Sequence, residues 1–156
     1  MKKYELTDEM IEIDGRKLFR IIALRNFNQA RAGEFGGFVE SEDNLSQEGD
    51  AWIGGDAAAF DYAKVSGNAQ VYGDAQVFGY AQVYANAQVY ANAQVYGGAQ
   101  IYGNAQVYGN AKIGGVALVY GNAQVYGEAR AGNKTQIYGN AQVYGKASIY
   151  DEIIEE

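Results

Sequence analysis

Cysteine, histidine and proline are all missing from this 156-residue chain. Without cysteine there is no disulfide, no thiolate nucleophile and no sulfur ligand for a metal. Without histidine the commonest general base and the commonest metal ligand are gone. No apolar run reaches the roughly 18 residues that a membrane-crossing helix needs. The first ten residues, MKKYELTDEM, lack the apolar core of a signal peptide. The expectation is a cytoplasmic protein with no membrane contact, no catalytic residue, no cofactor and no metal site.

Charge is sparse where it would matter for nucleic acid. The net charge is −7, but residues 1–52 carry 7 basic and 11 acidic side chains, residues 53–148 carry 5 and 4, and residues 149–156 carry 4 acidic and none basic. A nearly neutral body offers no row of Lys and Arg to grip phosphates, so nucleic acid is not an expected partner. The same neutrality argues against a mimic of DNA, which needs ladders of carboxylate. An ice-binding surface would need ladders of threonine, and the chain has only Thr7 and Thr135.

What the chain has in abundance is a period. From Ile53 to Ser148 it divides into sixteen uninterrupted hexads, typified by VYGNAQ. The first position is Val or Ile except at Ala59 and Ala131, and the fifth is Ala except at Thr135. Ala-Gln-Val-Tyr alternates small-in, polar-out, apolar-in, aromatic-out, the pattern of a half-buried strand. Gly-Asn follows as a corner, because both residues tolerate a positive φ. Hairpins of such short strands would bury little. A coil that turns a corner after each strand stacks on itself 18 residues later, and Val then lies on Val and Ala on Ala. A helix is excluded by the six-residue spacing and the recurring glycine.

The unit resembles the hexapeptide-repeat family, with a departure at the second position, mostly Tyr here. The resemblance implies an all-β fold: a single-stranded, left-handed parallel β-helix, three-sided, with 18 residues per coil. Ahead of it, residues 9–24 read as a β-hairpin about Asp14-Gly15. The run from Ala32 to Trp52 (AGEFGGFVESEDNLSQEGDAW) resembles the N-terminal segment of phage and prophage β-helix proteins. It differs in having Phe38 where Trp is common and Ala51 where Cys is expected. Val39, Leu45 and Ala51 keep the six-residue step, which places the start of the first coil near Phe35. The expected organisation is a hairpin cap over 1–34, a β-helix over 35–150 and an acidic tail over 151–156. The Ala32–Trp52 segment is read as a cap, with a ligand site at Gly33, Gly36, Gly37, Glu48 and Asp50 as the alternative.

Counting by 18 assigns three faces. The first carries Tyr72, Tyr90, Tyr108, Tyr126 and Tyr144, and the second Tyr84, Tyr102, Tyr120 and Tyr138. Asn68, Asn86, Asn104, Asn122 and Asn140 form a ladder, with a Gln row from Gln70 to Gln142 beside it. Identical residues stacked in register stabilise a sheet, and Tyr, Asn and Gly also make an adaptable contact surface. The third face is the most apolar, so the candidate binding residues are Phe60, Tyr62, Phe78, Tyr80, Tyr96, Val116 and Leu118. The expected partner is a protein. The chain itself is also a candidate partner, as a trimer through one face or a dimer through the C-terminal coil. Many hexapeptide-repeat proteins are acyltransferases that use a histidine near a loop interrupting the coils, and others resemble zinc-binding carbonic anhydrases. Neither a histidine nor an interrupting loop is present. The functional expectation is therefore a non-enzymatic, phage- or prophage-type β-solenoid that binds or inhibits a host protein or serves a structural role. An acyltransferase-like enzyme is the alternative.

Overall fold

The computed structural model describes residues 1–28 and 30–156. The hexad period becomes a parallel β-solenoid of three sheets, whose body strands pair with the strand 18 residues on, except that Gln136–Tyr138 pairs with Ile153–Glu155 at a step of 17. The first sheet runs from Trp52–Ile53 through Gln70–Val71, Gln88–Val89, Gln106–Val107 and Gln124–Val125 to Gln142–Val143. The second runs from Lys64–Val65 to Ile153–Glu155, and the third from Ala58–Ala59 to Ser148–Tyr150. Register is kept throughout the body: Val71, Val89, Val107 and Val125 pair in sequence. Their side chains and the alanines of the fifth position are buried. Each buried Val contributes about 1.5–3 kcal/mol, and Ala lets the walls of a narrow prism approach. Thr135, the one exception among those alanines, is buried with its hydroxyl donating to the Ile149 carbonyl at 3.2 Å.

Corners form at the third hexad position, which is left-handed whatever residue occupies it. Gly103 has φ 65°, but Ala85 and Ala91 sit at 56° and 58°, and Asp61 at 57°. The strand pairs on either side hold these non-glycine residues in a region that L-residues otherwise avoid.

The hairpin is longer than expected. Strand β1 (Tyr4–Ile13) pairs antiparallel with β2 (Arg16–Ala23) about Asp14-Gly15, both at positive φ. Strand β3 (Phe35–Val39) joins β2 antiparallel on one edge and Ala58–Ala59 in parallel on the other, so the hairpin extends the third sheet. Val39 pairs with Ala59 and Leu45 bridges to Val65, steps of 20 rather than 18. The first coil is therefore two residues longer than the rest. The extra residues fall between Leu45 and Ile53, so Ala51 takes a small-residue position and not the aliphatic one that Val39 and Leu45 hold.

The carbonyls at the base of the first coil have no coil beneath them, and the N-terminus supplies donors. Lys3 is fully buried, and its ammonium donates to the Ala51 carbonyl at 2.7 Å and the Gly49 carbonyl at 3.4 Å. The Tyr4 hydroxyl donates to the carbonyls of Leu45 and Glu42. A cap over the first coil is what this segment builds. Gly36 and Gly37 serve packing: a Cβ on Gly36 would lie 2.6 Å from the Ile53 carbonyl oxygen, and one on Gly37 would lie 2.3 Å from that of Ala57. At the other end, Ile153–Glu155, expected as part of a tail, is a strand paired with Gln136–Tyr138.

Candidate interaction surface

Three features of the outer surface could meet a partner: the tyrosine ladders, a corner stripe, and two open grooves near the base. The ladders are tightly organised. Successive rings on the first face stack 4.8 to 5.4 Å apart, from Tyr72 to Tyr144, nearly parallel. Each ring leans toward the next coil. Its hydroxyl donates to a glutamine 16 residues on: Tyr72 to Gln88 at 3.2 Å, Tyr90 to Gln106, Tyr108 to Gln124 and Tyr126 to Gln142 each at 3.1 Å. The second face repeats this with Tyr84 to Gln100 at 2.9 Å and Tyr120 to Gln136 at 3.4 Å. Burial raises the pKa of the Tyr72, Tyr90 and Tyr108 hydroxyls. This diagonal coupling of Tyr and Gln was not read from the sequence, although Gln and Tyr stand two apart on one strand and so share a face. In the asparagine column, Asn68 Nδ2 reaches Asn86 Oδ1 at 3.4 Å.

The seven residues singled out for binding do not share one face. Phe60 is only 2% exposed: β1 and β2 fold over it, and it packs with Leu18, Phe38 and Ala58. Phe78 stacks on Phe60 at 5.0 Å and Tyr96 on Phe78 at 5.4 Å, on the outer side of the third sheet. Above Tyr96 the column continues as Gly114, and the Tyr96 ring leans across it. Leu118 belongs to the second sheet, paired with Gln100 and Gln136. It stands where a glutamine would accept from Tyr102.

Tyr62, Tyr80 and Val116 form a stripe along the corner between the third and second sheets. They are 67%, 66% and 54% exposed, and the Tyr62 and Tyr80 rings stack at 5.0 Å. At its lower end the stripe meets a groove of about 630 Å³ lined by Arg16, Glu40, Ser41, Asp43, Tyr62 and Lys64. Arg16 pairs with Glu40 at 3.1 Å and with Asp61, whose Oδ2 accepts from the Gly79 amide at 3.1 Å. These contacts raise the pKa of Arg16, the hydrogen bond to Glu40 contributing most. The ion pairs tie the hairpin to the corner and so fix the Tyr62 end of the stripe.

The remaining body carboxylates lie apart from one another in role. Asp56 pairs with Arg20 at 3.2 Å at the base of the cap. Asp74 and Glu128 are exposed corner residues. None adjoins the stripe.

The sequence is similar to a family model described as the YdcK beta solenoid repeat, which matches residues 69–85, 99–115 and 136–151. A protein of Escherichia coli strain K12, named uncharacterized acetyltransferase YdcK, is 41% identical over 61 residues. That match covers 34% of this chain and 19% of the relative, so the chain spans less than a fifth of the relative's length.

Proposed function

We propose that the protein is a non-enzymatic solenoid that presents the Tyr62, Tyr80 and Val116 stripe to a protein partner. The observation carrying this reading is the alignment of Tyr62, Tyr80 and, beyond Gly98, Val116 on one corner, each more than half exposed, in a chain without histidine. Exposed aromatic and aliphatic side chains rimmed by charge favour protein association. Tyr96 and Leu118 flank the stripe as secondary contacts. Phe60 and Phe78 are assigned to holding the hairpin. The stripe is also the surface offered for self-association, with the C-terminal coil as a second. The resemblance of Ala32–Trp52 to phage proteins supports a phage- or prophage-type role, as a structural part or an inhibitor of a host protein.

The test compares wild type with Tyr80→Ala and Val116→Asp in capture from bacterial lysate, and in sedimentation across a concentration range. A partner, or a second copy, retained by wild type and lost by both variants at unchanged thermal stability supports the assignment. Equal retention by all three rejects it.

A second reading, acetyl transfer, is favoured by the name of the E. coli relative. It needs a base to deprotonate the acceptor, and a carboxylate would serve only with a raised pKa. Calorimetry with acetyl-CoA distinguishes the two, since micromolar binding would move the assignment to the enzyme class.

A further inference from the structure

The tyrosine ladder of the first face is one ring short at its base. Gly54 lies directly below Tyr72, with its amide donating to the Val71 carbonyl at 2.8 Å. No side chain of the column therefore covers the lower side of the Tyr72 ring. The partner glutamine is left over as well. Gln88, Gln106, Gln124 and Gln142 each accept a tyrosine hydroxyl, whereas the Gln70 carbonyl has no such donor among the described residues.

The vacancy opens into a groove of about 520 Å³ that Phe35, Trp52, Gly54, Gln70 and Tyr72 help to line, with Glu34 at its edge. Phe35 is 58% exposed there. The Trp52 Nε1 lies 3.9 Å from where a Gly54 Cβ would stand and has no acceptor among the described residues. Ser66 stands in the equivalent place below Tyr84 on the second face and lines neither of the two grooves described above.

We propose that this groove binds a phenol, stacked beneath Tyr72 with its hydroxyl donated to Gln70 Oε1. The site is the next step of a ladder whose four steps above are filled by hydroxyl-bearing rings, 4.8 to 5.4 Å apart and within 13° of parallel. Offset stacking and one hydrogen bond recur at each step, and the groove keeps both halves of that arrangement unmet. The Glu34 carboxylate favours the neutral phenol over the phenolate. The source is either a tyrosine side chain of a peptide or a small phenol. The groove lies on a different face from the corner stripe and does not depend on it.

The test follows the indole N–H resonance of Trp52, the chain's one tryptophan, in the ¹⁵N-labelled full chain. Titration with N-acetyltyrosinamide shifts that resonance to saturation, and N-acetylphenylalaninamide binds about fivefold more weakly for lack of one hydrogen bond. p-Cresol separates the sources: binding as tight as the amide's points to a small phenol, weaker binding to a tyrosyl peptide. Gly54→Tyr fills the vacancy, because the nearest heavy atoms to its Cβ are 3.7 Å away, and it removes the response without lowering Tm. Gln70→Leu, which leaves the core untouched, abolishes the preference for the tyrosine amide over the phenylalanine amide. Three results would each overturn the proposal: no shift at millimolar probe, equal response to the two amides in wild type, or tighter binding of methyl glucoside than of either phenol.

Discussion

Tyr90 and Gln106 stand on neighbouring coils of one face, joined by a hydroxyl-to-carbonyl hydrogen bond of 3.1 Å, while the Tyr90 ring lies flat against Tyr108 at 4.9 Å. Tyr102 has the same stacked neighbours but meets Leu118 where its glutamine would be. Tyr90→Phe is thus expected to cost about 0.5–1 kcal/mol, at the lower end for a bond near the surface. Tyr102→Phe is expected to cost nearly nothing. Leu118→Gln completes the missing bond, and its gain should vanish in combination with Tyr102→Phe. Urea unfolding of the four variants measures this, and equal losses in the two tyrosine variants would contradict it.

Glycine at the corners is required unevenly. Gly115 has φ 62°, and a Cβ there would lie 2.2 Å from the Asn133 nitrogen. Gly145 has φ 64° with nothing within 4 Å. Gly145→Ala therefore carries only the left-handed cost of about 1–2 kcal/mol. Gly115→Ala adds a backbone clash and should lower Tm clearly more. Matched melting curves check the order.

Lys3 makes stability depend on pH. Burial, helped by Arg25, lowers its pKa from 10.5 to about 8 in the folded chain. Between those values the unfolded chain binds more protons, so stability rises with pH across that window. The gain from pH 8 to 10 is on the order of 2 kcal/mol. Above about pH 10 the trend reverses, because burial holds the Tyr72, Tyr90, Tyr102 and Tyr108 hydroxyls above their ordinary value and the unfolded chain loses those protons first. Lys3→Met should abolish the rise and leave the fall. Denaturant midpoints measured from pH 7 to 11 decide it, and a rise that survives in Lys3→Met would count against the role of the ammonium.

Val107 is fully buried in the middle of the first sheet, between Val89 and Val125. Val107→Asp places a carboxylate with no partner in that interior and should unfold the central coils at room temperature, a loss of several kcal/mol. Circular dichroism and melting report it directly. An unchanged Tm would mean that the side chain does not face inward.

The repeat made most of the fold legible. An aliphatic residue every six and an alanine four later could satisfy only a narrow dry interior, and Gly-Asn marked the corners. Left-handedness was an implication of family resemblance and not of the residues. Local irregularity escaped the periodic reading. The two extra residues between Leu45 and Ile53 were hidden because Ala51 happens to be apolar and in step. The burial of Phe60 depends on where the hairpin folds back, which no six-residue count contains. Leu118 was placed on the third face with Val116, although Val116 sits on the corner and Leu118 on the strand of the second sheet beyond it. The Tyr–Gln bonds were missed because each row was read along the axis, whereas the contact is diagonal.

The step of 18 through the body, from Ile53 to Ser148, makes this part of the molecule a graduated object. Excising residues 86–103 would shorten the rod by about 4.8 Å and leave every face in phase. Excising only residues 86–91 would rotate everything beyond the cut onto the next side of the prism, so that Tyr108 would follow Tyr84 and the column above Tyr72 would end at Tyr96. Length can therefore vary in whole turns without disturbing what is displayed, while a change of a third of a turn rewrites the surface and spares the interior.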